Sequence, residues 1–257
     1  MSNLDKLFRR LKQPATRLGF APAAARAAKR GPVLGAYLAG QSDASAFGAG
    51  ADLVILSEVR AGLKNGDKSG ETATGVRLAG SAADTVALAD AGVDFVVFDD
   101  TAPLSLAKDE KLGKIFQVDH TWEDMALRSA NEVPADAYEN ATLLAEGGPL
   151  TFGHLMRARR LTGQLGKPVL LTVAHELSRE DLEALAQAGA DGFIVGPEWS
   201  KKLGTGLTAE LQRLRKELDS LPDRRRDRRD RTAVTLPVLG GTGLGRLTEE
   251  PDEDEDE

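Results

Sequence analysis

A set of ionisable side chains lies within or just after short apolar runs: Glu58, Asp99, Asp100, Asp119, His120, Glu139, His175, Glu176 and Glu198. Carboxylates gathered at one end of a fold hold a hard divalent cation through oxygen, and a close pair splits its pKa values into an acid and a base. Histidine titrates near neutral pH and carries protons. On these grounds Asp99, Asp119 and Glu139 are candidate catalytic carboxylates and candidate ligands of a divalent metal cofactor, with His120 and His175 as proton carriers. Arg77, Gln117 and Tyr37 are candidate substrate-binding residues, Arg77 as the anchor of a small anionic molecule. Any one of these acids would serve equally well to cap a helix or solvate a loop. The chain has no cysteine, which excludes disulfides, thiolate catalysis and Cys-ligated metal.

These residues need elements that bring them to one place, and the chain carries a repeat that does so. Ala91-Gly92-Val93-Asp94 precedes the apolar run Phe95 to Phe98 and the pair Asp99-Asp100. Ala49-Gly50-Ala51-Asp52 precedes Leu53 to Leu56, Pro134-Ala135-Asp136 precedes Ala137 to Asn140, and Ala188-Gly189-Ala190-Asp191 precedes Gly192 to Val195. Each interval is about twice what one strand, loop and helix require. A second strand fits inside each: Val33 to Leu38, Gly75 to Leu78, Ile115 to Val118, and Pro168 to Val173. Eight strand and helix units in a chain of this length predict an α/β fold, a closed (β/α)8 TIM barrel. The marker aspartates Asp52, Asp94, Asp136 and Asp191 fall at the amino ends of strands and are assigned to turns. Helix starts are expected at Ser81, Thr121, Thr151 and Ser178, from capping-type spacing or position, and glycines at Gly92, Gly113 and Gly166 are expected to stop helical segments.

Aligning the odd strands places Tyr37, Arg77, Gln117 and Thr172 at one level, and aligning the even strands places Ile55, Val97, Glu139 and Ile194 together. Small residues two positions to either side of Glu139 and Ile194, namely Ala137, Ala141, Gly192 and Gly196, point this parity toward the crowded interior. Arg77 and Glu139 then enter the barrel from different strands. A buried charge left unpaired costs several kcal/mol, so the two are expected to interact directly or through Gln117 and Tyr37. A polar plug without catalysis would satisfy the same pattern. Ala137-Tyr138-Glu139-Asn140 is too polar for a buried parallel strand by composition, and its place in the repeat alone makes it one.

The 257 residues, 41% hydrophobic, read as residues 1–30, an N-terminal helix and lead-in; 31–221, the barrel; and 222–257, a charged tail. Leu4, Leu7, Phe8 and Leu11 among basic residues form an amphipathic helix suited to covering the bottom of the barrel. The acidic run Glu249 to Glu257 is expected to be disordered. A net charge of −7 argues against nucleic acid as a partner, and no apolar run is long enough for a membrane span; the reading is a cytoplasmic protein, with oligomeric state left open.

The phrase Ala188-Gly189-Ala190-Asp191-Gly192-Phe193-Ile194-Val195-Gly196 resembles the last strand of aldolase-type and phosphate-binding barrels such as thiamine phosphate synthase and the tryptophan and histidine biosynthetic barrels. The resemblance implies a glycine-lined phosphate site after strands seven and eight; here those strands leave through Ala174-His175-Glu176-Leu177 and Pro197-Glu198, with Lys201, Lys202 and Gly204 beyond. A Schiff-base lysine inside a strand and a His-x-His on strand one are both absent. The whole plan, with its arginine-rich segment and acidic tail, is also similar to bacterial barrel proteins to which no activity is attached. Two functions follow: a lyase or isomerase acting on an anionic small molecule, with or without a metal, or a non-catalytic barrel that binds partners through its N-terminal helix and charged tail.

Overall fold

The structure, a computed structural model, describes residues 4, 7–9, 31–38, 49–57, 72–78, 85–108 and 112–222. Glu58, the Ser81 cap, most of the lead-in and residues 223–257, including the acidic run, lie outside the described residues.

Eight parallel strands close into a barrel in sequence order: β1 (Val33–Leu38), β2 (Leu53–Leu56), β3 (Ala73–Arg77), β4 (Phe95–Phe98), β5 (Gly113–Gln117), β6 (Ala137–Leu144), β7 (Val169–Val173) and β8 (Gly192–Val195). The described helices outside are α1 (Thr85–Asp90), α2 (Asp124–Ser129), α3 (Phe152–Gln164), α4 (Arg179–Ala188), α5 (Pro197–Leu203) and α6 (Leu207–Asp219). This is the (β/α)8 barrel that the repeat predicts.

The strands are pinned at their amino ends by the repeated aspartates. Asp52 donates its N–H to the Leu34 carbonyl and accepts the Leu34 N–H on its carboxylate, at 2.7 and 2.9 Å. Asp94 does the same to Thr74 (2.7 and 3.0 Å), Asp136 to Lys114 (2.7 and 2.8 Å) and Asp191 to Val169 (2.8 and 3.0 Å). These residues therefore do more than turn the chain. Each closes a two-point clasp between an odd strand and the even strand that follows, and Asp52 also pairs with Arg215 of α6 at 2.8 Å. The clasps on Thr74 and Lys114 explain why β3 and β5 begin earlier than their most apolar residues suggest.

Inside the barrel, Val33, Leu53, Ile55, Ala73, Phe95, Val97, Ile115, Leu170 and Ile194 form one buried cluster with Leu4, Leu7 and Phe8. The latter three are helical, and Leu4 lies over Gly113, where an added Cβ would meet its side chain at 2.7 Å. The amino-terminal residues described thus cap the barrel floor. Gly75 is required by the same packing, since an added Cβ would come within 2.2 Å of the Phe95 ring. Outward-facing residues make a second cluster with the helices, which holds Tyr138 and Trp199 and against which Trp122 packs.

Some helix boundaries differ from expectation. Thr121 is not an N-cap: α2 begins after Glu123 without a side-chain cap, and the Thr121 N–H, which a capping box would give to Asp124, goes to the Asp119 carboxylate at 2.8 Å. Gly113 opens β5 instead of stopping a helix, and the segment before it holds one 3-10 turn, Leu104–Lys108. Thr151 with His154 and Ser178 with Asp181 form reciprocal capping boxes at α3 and α4. β6 runs to Leu144, so strand and not loop fills part of its long interval.

Candidate functional site

The four odd strands each send one polar side chain inward near their carboxyl ends: Tyr37 from β1, Arg77 from β3, Gln117 from β5 and Thr172 from β7. One layer filled from alternate strands is how such barrels pack. Glu139 of β6 reaches into this layer and is fully buried, at 0% exposure. The Tyr37 hydroxyl lies 2.9 and 2.8 Å from its two oxygens, the Thr172 hydroxyl donates to Oε1 at 2.6 Å, and Gln117 Nε2 donates to Oε2 at 3.1 Å. Three strands therefore solvate one carboxylate, which is what a buried charge requires.

Arg77 joins through Gln117, donating from Nη2 to Oε1 at 3.3 Å. The amide orientation is dictated by its partners, since guanidinium only donates and carboxylate only accepts. Arg77 and Glu139 thus meet through Gln117, one of the two routes expected. To reach Gln117 of β5 from β3, Arg77 passes over β4, where it pairs in register with Val97. Tyr37 and Thr172 are buried at 3% and 5%, whereas Arg77 is exposed, so the chain of contacts opens at Arg77. Burial first, then the Glu139 charge and hydrogen bond, push the Tyr37 phenol well above its ordinary pKa, and Arg77 and Gln117 oppose this only in part. Tyr37 remains a proton donor at neutral pH.

A second group gathers where β5 and β6 end. The β6–β7 register shifts between Asn140 and Leu144, a bulge of the kind that re-aims side chains. Asn140 satisfies the backbone there: its Nδ2 donates to the Val118 carbonyl and its Oδ1 accepts the Leu143 N–H, both at 2.8 Å. Thr142, beyond it, places its hydroxyl 2.8 Å from His120 Nδ1, while Asp119 Oδ1 lies 3.6 Å from the same nitrogen. A nucleophile relay needs the hydroxyl and the carboxylate on opposite ring nitrogens, so these three residues do not form one. Arg160 of α3 fixes the loop, bonding the carbonyls of His120 (3.1 Å) and Trp122 (2.5 Å) and the Asp124 carboxylate (2.7 Å).

The two titrating groups of this cluster are driven toward opposite forms. Partial burial raises the Asp119 carboxyl, yet hydrogen bonds from the Thr121 N–H and hydroxyl, the His120 charge and the Thr142 hydroxyl outweigh it and hold the group below the usual carboxylate range. For His120, burial lowers the pKa, Asp119 opposes, and Arg157, His154 and Arg160 lower it further, leaving it below its ordinary value. At neutral pH Asp119 is ionised and His120 is a neutral base.

The other expected residues stand apart from these groups. Asp99 accepts from the N–H and hydroxyl of Thr101 in its own turn, at 3.0 and 2.5 Å. His175 follows β7 with a buried Nδ1 that has no hydrogen-bond partner. Among the described residues no three acidic or histidine side chains converge as a metal site would require. Glu139 in particular has both oxygens engaged by protein donors, so the expected Asp99, Asp119 and Glu139 metal set is not assembled. Thr142, Asn140 and Arg160 escaped the sequence reading because a bulge and a neighbouring helix bring them in; Thr172 was visible in the strand alignment.

No family model matches the chain, and a search of curated proteins finds no match. Solved structures do resemble it. A mutant tryptophan synthase alpha-subunit from the hyperthermophile Pyrococcus furiosus is 17% identical, with a TM-score of 0.54 over 75% of this chain and 98% of that one. Tryptophan synthase from M. tuberculosis in its open form is 20% identical, with a TM-score of 0.56 over 85% of this chain and 98% of that chain. A structure from Aquifex aeolicus is 15% identical, with a TM-score of 0.55 and coverage of 85% and 98%. At these identities the likeness is one of fold.

Proposed function

We propose that this barrel is a lyase or isomerase acting on a small anionic molecule, bound at the mouth formed by the carboxyl ends of its strands. The observation that carries the reading is Arg77: an exposed guanidinium at the open end of a hydrogen-bonded chain that terminates on a fully buried carboxylate. A polar layer built from four strands is a costly way to fill a barrel unless its open end is used. In this reading Arg77 anchors the substrate, while Gln117 and Tyr37 hold the layer in place around Glu139. Glu139 is saturated with donors, so its role is to fix their positions and balance the Arg77 charge. Proton transfer falls to His120, with ionised Asp119 beside it, and to Asp99 and His175 at the neighbouring strand ends. The alpha-subunit neighbours support a catalytic use of the fold, which by itself is a weak warrant.

A binding-protein reading has one observation in its favour. Leu104, Met125, Phe152 and Met156, exposed at 90%, 79%, 85% and 73%, follow strands β4, β5 and β6 in turn. Against it, Trp122 and Trp199 pack in the helical layer and do not fill the barrel from above. Thermal unfolding scanned against small anions, with and without magnesium or manganese, separates the two. The enzyme reading expects an anion to raise the midpoint in the native chain and to have no effect on Arg77→Met, since a ligand of the folded state alone stabilises it. A metal-dependent rise lost in Asp119→Ala would add the cation. No response to any anion would sink the enzyme reading.

A further inference from the structure

We infer that the group held by Arg77 is a carboxylate and not a phosphate ester; this rests on Arg77 being the anchor. Local charge is the first argument. Arg77 contributes one positive charge, and Glu139, tied to it through Gln117, contributes one buried negative charge that is not screened by water. Arg77 and Glu139 together sum to no net charge, so a bound monoanion leaves this layer with one negative charge. A dianion leaves it with two, and among the described residues no further cation is placed in this layer, with Asp99 and Asp119 at the adjoining strand ends. Of the basic side chains around the β5 cluster, Arg160 is spent on two carbonyls and Asp124, and at the end of β8 Lys201 is paired with Glu198 at 2.8 Å.

The ends of β7 and β8 give the second argument. A phosphate at that end of a barrel is ordinarily held by backbone N–H groups of the two loops and a short helix. Here Pro197 opens α5 and has no N–H, the Ser200 N–H is used by the Gly196 carbonyl at 2.9 Å, and Glu198 occupies the first turn. His175-Glu176 follow β7 in place of a glycine turn. The first turn of α5 thus lacks one N–H and carries a negative charge.

Geometry gives the third. One Arg77 nitrogen is oriented by Gln117, and the planar fork that remains can take two oxygens of one anion, carboxylate or phosphate alike, so the depth of the site decides. Below it the interior is filled by Ile55, Phe95, Val97 and Ile115, all at 0% exposure. The carboxylate therefore stops at the Arg77 level, and the rest of the molecule lies toward the strand ends.

The test is calorimetric titration and thermal unfolding of the full chain with acetate, pyruvate and lactate against inorganic phosphate and glycerol 3-phosphate, at constant ionic strength. Saturable binding of a carboxylate without binding of either phosphate is the expected result. Arg77→Lys, which keeps the charge and loses the fork, is expected to weaken it by about tenfold or more, and Arg77→Met to abolish it, with circular dichroism unchanged in both. Phosphate binding without carboxylate binding would overturn the class and leave Arg77 as an anion anchor. Carboxylate binding that survives in Arg77→Met would overturn the site. Binding of neither class would overturn this inference and the anchor reading together.

Discussion

At the scale of single residues, Glu139 is the pivot, because it turns three side chains that would otherwise be unsatisfied into one network. Glu139→Ala would strand the Tyr37 and Thr172 hydroxyls and the Gln117 amide in a closed interior, and a loss of roughly 3–5 kcal/mol is expected in denaturant unfolding. Glu139→Gln retains an acceptor for most of these donors and should cost less than half of that. His120 makes a prediction about pH. Its folded pKa lies below its unfolded value of about 6.5, so its contribution to stability is complete above that pH and is lost as pH falls toward the folded value. Asp119, also lowered, gives the same sign at more acidic pH, below about 3.9. Stability measured at pH 7 and pH 5 should fall less in His120→Asn than in the native chain; an equal fall would show that His120 is not the group responsible. The Arg77, Gln117, Tyr37 and Glu139 network was legible in the sequence because period-two alternation fixes which side a residue faces, and a buried charge must find partners. Thr142 was not, since the bulge that re-aims it breaks the period on which such reasoning depends.

At the scale of elements, the aspartate clasps explain why the repeat has its form. The sequence shows an aspartate before each even strand, and a turn is the local reading. What makes the residue necessary is a backbone N–H on the preceding strand, from Leu34, Thr74, Lys114 or Val169, which no local pattern reveals. Asp94→Ala and Asp136→Ala should each lower stability by about 1–3 kcal/mol by leaving that N–H without its acceptor, measured by denaturant midpoint. The Thr121 cap failed for a related reason: an acid two residues earlier competes for the same N–H and wins. Strand β6 shows the reverse case. Its composition argues against a buried strand, yet Glu139 faces a layer built to receive it and Asn140 repairs the backbone at the bulge. Polar residues in this strand were the mark of the buried polar layer, not of a weak element.

At the scale of the molecule, the barrel has a closed lower end and a polar upper one. Leu4, with Leu7 and Phe8, belongs to the interior cluster, so the start of the chain completes the core. Leu4→Asp would place an unpaired charge at a position with 0% exposure and is expected to lower the thermal midpoint by several degrees. The four clasps also divide the barrel unevenly. They join β1 to β2, β3 to β4, β5 to β6 and β7 to β8, and the polar layer then ties the odd members of these pairs to one another through Glu139. A gene cut after Lys108 would leave every clasp within one fragment, two on each side. A cut after Asp119 would put Lys114 and Asp136 on different polypeptides. Co-expressed halves from the first cut are expected to find each other and copurify, and those from the second to do so poorly, making the chain a candidate split reporter whose reassembly is set by where its clasps fall.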